Sequence, residues 1–218
     1  MASGSPWVPP EQVLDEPDAW SVPREWPGER CFILGGGESL RDQRDLIPQL
    51  KGRVIAIKQA VALRPDAEVM FMSGKRAYEL CAPFFPLFKG RYKVARGRVN
   101  VFLPRDTKRI GRTKDHTRLC DLPTHVAGYD AGTSAINLAY HFGATEIVLL
   151  GYDMCGGRWF NGEYPHFQPY PPQLHFDRHM AILPDIAADC RAKGIRVVNC
   201  SPISKVNAFE RQPLEAFL

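Results

Sequence analysis

At 218 residues, with 44% hydrophobic and 24% charged side chains, the chain is long enough to bury one substantial core and has the make-up of an ordinary globular domain. No run of about 18 uncharged apolar residues is present, and residues 1–10 lack the basic and apolar regions of a signal peptide, which argues against a membrane span and secretion and for a cytoplasmic location. The net charge of +4 is mild, and the six cysteines are scattered without a C-x-x-C pair or zinc-site spacing, so a reducing compartment and no structural metal are expected.

Residues 1–30 are rich in Pro and Trp without helical or strand periodicity, and read as an extended arm whose Trp7, Trp20 and Trp26 clamp onto a core. The run Cys31-Phe32-Ile33-Leu34 predicts a first buried strand. Gly35-Gly36-Gly37 follows, then Ser39 with Asp42 three residues on, a capping-box pattern opening a helix to about Leu50. Residues 53–57 and 68–72 predict two more strands. Residues 132–142 form an apolar helix closed by Gly143; 146–150 form a strand that stops at Gly151-Tyr152-Asp153; 174–193 form one long helix closed by Gly194; and 195–199 form a last strand. Strands alternating with helices predict an α/β fold, a Rossmann-like and mostly parallel sheet with helices on both faces, in a single domain over residues 31–218.

Two segments break this rhythm and read as insertions. Residues 81–130 are basic, with a pair of candidate strands, and residues 155–173 are rich in Gly, Pro and aromatics and suit a lid. Between residues 89 and 118 eleven Lys and Arg face only Asp106 and Asp115. That stretch is either a solvated loop or a surface for an anion, nucleic acid included.

Ligands of open α/β sheets bind beyond the carboxyl ends of the strands, so the Gly35 loop, Lys58, Ser73, the Gly132-Thr133-Ser134 helix start and Asp153 should gather on one rim. Gly35, Gly36 and Gly37 let backbone approach a ligand, and helix starts at Ser39 and Gly132 would offer unpaired N–H groups to a phosphate. The motif is neither the Walker loop nor G-x-G-x-x-G. Lys58 either places its ammonium on phosphate or snorkels from a strand end. Asp153 either orients a ribose or substrate hydroxyl or caps a turn. His175 and His179, four apart on one helix face, suit a zinc pair, acid–base work, or neither; the Glu of H-E-x-x-H and an obvious third ligand are missing.

In order and spacing, four segments resemble the sialyltransferase-like family of bacterial glycosyltransferases, together with a related domain of unknown function found in phage proteins and in archaeal hydroxymethylpterin pyrophosphokinases. Gly35-Gly36-Gly37-Glu38-Ser39-Leu40 is similar to the family's G-x-G-P-S-L donor loop, and Ala56-Ile57-Lys58-Gln59 to a strand end that usually carries Asn. The block from Gly132 to Asp153 is similar to the S-G, helix, G-x-x-E-I-x-L-x-G-x-D pattern. His175-Phe176-Asp177-Arg178-His179 and Asn199-Cys200-Ser201-Pro202-Ile203-Ser204 resemble the H-Y-x-x-H helix and C-x-P-x-S turn.

The resemblance implies a GT-A-like sialyltransferase variant in which the Gly35 to Ser39 loop and Gly132 touch the donor nucleotide and His179 deprotonates an acceptor hydroxyl. Tyrosine hydroxyls rather than a D-x-D-bound metal would steady the leaving phosphate, and no D-x-D is present; Mg²⁺ is admitted but not required. Phe176 stands where that helix has Tyr, Glu38 replaces Pro and Lys58 replaces Asn, so Tyr164 and Tyr170 are the tyrosines left for the phosphate, or the donor has changed. The expected partners are a nucleotide-activated donor, such as a CMP-sugar or another nucleoside-diphosphate sugar, and a hydroxyl acceptor; self-association stays open. A phage-encoded chain would work in the host cytoplasm. ATP-dependent pyrophosphoryl transfer to a small alcohol, and a non-catalytic nucleotide- or DNA-binding accessory role through residues 89–118, are the alternatives.

Overall fold

The computed structural model describes residues 18–73, 81–97, 103–157 and 173–218. Nine strands form one all-parallel sheet in the order β6-β5-β4-β3-β2-β1-β7-β8-β9. They are β1 (Arg30–Leu34), β2 (Arg53–Ile57), β3 (Val69–Ser73), β4 (Tyr92–Arg96), β5 (Lys108–Arg112), β6 (His125–Val126), β7 (Glu146–Leu150), β8 (Arg196–Asn199) and β9 (Glu210–Arg211). The described helices are α1 (Leu40–Gln43), α2 (Ala131–Phe142), α3 (Gln173–Met180) and α4 (Leu183–Ala192), with 3₁₀ turns at Ile47–Gln49, Lys58–Ala62, Ala82–Phe84 and Leu214–Phe217.

The central strands are buried on both faces, which is why they read as continuous apolar runs. Alternate residues feed two cores. Cys31, Ile33, Ile55, Phe71, Ile147 and Leu149 pack with Ile136 and Ala139 of α2 and Ile186 of α4. Phe32, Leu34, Val54, Met70, Val148 and Leu150 pack with Leu40, Ile47, Val61 and Phe217 from α1 and the 3₁₀ turns. Among the described residues, one face is therefore covered by full helices and the other by short ones.

Three expectations change. Residues 81–130 are no insertion: they supply β4, β5 and β6, each parallel to its neighbour, so the basic segment is one wing of the sheet. The helix expected from Ser39 to Leu50 is only α1 followed by a 3₁₀ turn carrying Pro48, and Ser39 makes no side-chain cap bond to it. The long helix over 174–193 is two helices, the first ending at Met180 and the second starting at Leu183, because Pro184 has no N–H to donate to the carbonyl four residues back and its ring clashes there, whereas it is tolerated in a first turn. Residues 158–172, most of the expected lid, lie outside the described residues.

Residues 18–29 run across the α2 face. Trp26 is buried and stacks on Phe142 at 3.9 Å between ring centroids, and Trp20 packs against Tyr92 and Phe142. Trp26 N donates to Phe142 O and Gly28 N to Gly143 O, so the arm closes the carboxyl end of α2. Trp7 lies outside the described residues. None of the described helices is long and apolar enough to cross a membrane.

Candidate functional site

The chain leaves β1 for β2 and steps outward to β6, and α2 then carries it back to β7 on the other side of β1. The strand order thus reverses between β1 and β7, where crevices of open parallel sheets lie. Because all nine strands are parallel, the Gly35 loop, Lys58, Ser73, the start of α2 and Asp153 share one carboxyl rim, as the alternation of elements implied.

The two loops at the reversal are bonded to each other. Gly35 N donates to Leu150 O at 2.7 Å and Gly37 N to Gly151 O at 2.9 Å, extending the β1–β7 ladder past its strands. Asp153, 1% exposed, accepts from Ser39 N at 2.9 Å and from Ser39 Oγ at 2.5 Å. A Cβ at Gly37 would stand 2.5 Å from the Asp153 carboxylate, which explains the third glycine. At Gly36, which is exposed, a Cβ would meet nothing within 4 Å; here the loop faces the rim. Asp153 is thus the turn cap, the second of its two readings. Burial, the largest influence, raises its carboxyl above the ordinary value, while hydrogen bonds from Ser39 and Ser201 pull it back.

The start of α2 is closed in the same way. Asp130 is its N-cap: Oδ1 accepts from Thr133 N at 2.8 Å and Oδ2 from Thr133 Oγ1 at 3.0 Å. Gly132 does not face a ligand, since a Cβ there would lie 2.0 Å from the Tyr152 ring. Tyr152 OH lies 3.1 Å from Thr133 Oγ1, and burial foremost holds this phenol well above its usual pKa, hence protonated. The expectation that both helix starts offer unpaired N–H groups is corrected at Ser39 and Thr133: a carboxylate of the chain itself occupies each.

His179 on α3 is partly buried, with Nδ1 3.9 Å from Asp130 Oδ2. The site therefore brings together His179, Asp130, Thr133 and Tyr152 beside the zippered glycine loop. Ser73 ends β3, buried and in register with Arg96. The backbone of His175 lies in α3, but its side chain, like all of Tyr164 and Tyr170, lies outside the described residues. Among the described residues no three His, Cys, Asp or Glu side chains are grouped to hold a metal ion. Asp130 is the residue the sequence reading missed; a helix start placed at Gly132 hid the Asp two positions ahead of it, although Asp is a favoured N-cap.

Lys58, half-buried, follows β2 with φ of 55°, one of two described non-glycine residues in the left-handed region. Such a backbone costs about 1–2 kcal/mol in an L-residue and marks functional positions when the fold sustains it. Lys58→Gly is expected to be more stable than Lys58→Ala by about 1 kcal/mol in denaturant titration, because only glycine relieves the strain. Equal midpoints would mean the strain is absent.

The basic wing is partly neutralised within the chain: Arg91 pairs with Glu25 at 2.8 Å, Lys93 with Asp106 at 2.7 Å and Arg118 with Asp189 at 2.5 Å. Lys89, Arg105, Lys108, Arg109 and Lys114 are exposed. Among known proteins, no family model matches this chain, and no curated protein matches it either.

Proposed function

We propose that the chain is a transferase using a nucleotide-activated donor, and in the first instance a glycosyltransferase with His179 as general base. The observation that carries the reading is His179 beside Asp130, on the rim where the β1 and β7 loops meet. A carboxylate near one ring nitrogen helps to hold the ring of a histidine base and to stabilise the imidazolium that forms on proton uptake. Asp130, fixed by Thr133, suits that task, and Nε2 is the nitrogen we assign to the acceptor proton. In the step proposed, the acceptor O–H proton passes to Nε2, the oxygen bonds to the anomeric carbon, and the bond from that carbon to the phosphate oxygen breaks with its electron pair on the nucleotide. With the N–H groups of Ser39 and Thr133 engaged, charge on the donor phosphate falls to Lys58, and close approach to Gly36.

Thermal-shift titration with CMP, UDP, GDP and ATP tests the reading. A nucleotide at a hundredfold its Kd should stabilise the protein by about 2.7 kcal/mol, and Lys58→Ala should weaken that response. If no nucleotide raises the melting temperature, or if Lys58→Ala responds like the unaltered protein, the donor assignment fails.

A further inference from the structure

A second group of side chains gathers on the β5 side of the Asp130 loop. Arg112 ends β5, and its Nη2 lies 2.7 Å from His116 Nε2. The His116 ring packs on Tyr129 at 4.6 Å between centroids, and the Arg178 guanidinium sits over Tyr129 at 5.3 Å. Arg96 fixes the loop, donating to the carbonyls of Gly128 at 2.8 Å, Tyr129 at 3.3 Å and Asp130 at 3.2 Å, and to Ser134 Oγ. Tyr129 adjoins Asp130 and Arg178 adjoins His179, so this cluster flanks the proposed base, whereas Tyr152 meets Thr133 from the β7 side.

A guanidinium only donates, so His116 accepts through Nε2. Burial foremost, with repulsion from Arg112 and Arg96, pushes the His116 pKa down to about 4, and the neutral ring carries its proton on Nδ1. That Nδ1 and the Nε of Arg112 are both buried, with no hydrogen-bond partner among the described residues. The other such atoms, on Gln43, Arg64 and Thr107, stand on separate segments; only here do two belong to side chains bonded to each other. The nearby Asp115 turns Oδ1 to Thr117 N and Oγ1. Two stranded donors on bonded side chains, with the Arg178 guanidinium on the same Tyr129 ring that His116 packs against, call for an acceptor atom that carries negative charge.

We infer that Arg112, His116, Tyr129 and Arg178 form an acceptor subsite that takes an oxyanion, a phosphate or carboxylate group on the molecule whose hydroxyl is to be modified. The oxyanion site stands on the cluster itself; its assignment to the acceptor rests on the transferase reading above.

Inorganic phosphate and acetate are the probes, with imidazole ¹⁵N NMR of His116 and thermal shift as readouts. Phosphate or acetate is expected to move the His116 Nδ1 resonance, and Arg112→Gln to weaken the apparent affinity about tenfold, the weight of one charge-assisted hydrogen bond. Arg178→Ala, at an exposed position on α3, should weaken it about threefold and carries the test if Arg112→Gln does not fold. A response to phosphate alone assigns a phosphoryl substituent, and a response to acetate alone a carboxyl one. An unmoved His116 resonance at millimolar anion, or equal affinity in both variants and the unaltered protein, overturns the site. So does a phosphate response abolished by Lys58→Ala and untouched by Arg112→Gln. Should His116 respond while no nucleotide binds, the oxyanion site holds and the transferase reading is the one that falls.

Discussion

Replacing His179 with alanine is expected to lower turnover by about 10²- to 10⁴-fold, the range a positioned base contributes, while nucleotide affinity changes by no more than about threefold. The separation follows from geometry: His179 stands by Asp130 at the head of α2, whereas the donor loop is held by Asp153 and the β1–β7 backbone bonds. Asp130→Ser is the companion variant. Serine keeps an N-cap acceptor for Thr133 N, so α2 should stay intact, yet the carboxylate facing His179 is gone. Turnover should then fall about tenfold with KM unchanged, as for a residue acting through another. Transfer or hydrolysis of the donor identified by thermal shift supplies the assay. If His179→Ala instead abolishes nucleotide binding, the imidazole belongs to the donor pocket and is not the base.

Removing the Asp153 side chain should be the most damaging change for the fold around the site. Asp153→Ala leaves the N–H and the hydroxyl of Ser39 buried without acceptors, at about 1–3 kcal/mol each, so a loss of about 3 kcal/mol is expected in denaturant unfolding. Asp153→Asn should cost only about 1 kcal/mol, since its carbonyl oxygen still accepts from Ser39 N and its amide donates to the hydroxyl. The pH dependence separates the two further. The folded pKa of Asp153 is raised from 3.8, so the native state holds this proton more tightly than the unfolded chain does. Its contribution is full below 3.8 and declines as pH rises through the folded value; Asp153→Asn should lack that decline. Equal losses for Ala and Asn at neutral pH would show that the two Ser39 bonds contribute little.

The central sheet was legible because β1, β2, β3, β7 and β8 are apolar on both sides and bounded by Gly or Pro. The wing was not. Lys93 and Arg96 in β4, and Lys108, Arg109 and Arg112 in β5, break the apolar run; toward a sheet edge, charged side chains find water and partners such as Asp106. The break before Pro184 and the early end of α1 near Pro48 were readable, but apolar periodicity on either side concealed them. In the site, convergence on the carboxyl rim followed from topology alone. What escaped is pairing across the chain: Asp153 with Ser39, Asp130 with His179, and His116 and Arg178 with Tyr129. Such contacts depend on loop paths that no local pattern specifies, and the two carboxylates fill the helix starts that glycines had suggested were open.

The position of β1 also sets an order of assembly. Its Arg30 pairs with Glu146 of β7, so the middle of the sheet cannot close until a distant part of the chain has been made. At about 5–20 residues per second on the ribosome, the amino-terminal wing would wait for several seconds with one flank of β1 bare and the glycine turn lacking its counterpart. Nascent chains truncated before residue 146 should therefore depend on chaperones for solubility, and release from them should follow emergence from the ribosome of the stretch that ends at Asp153.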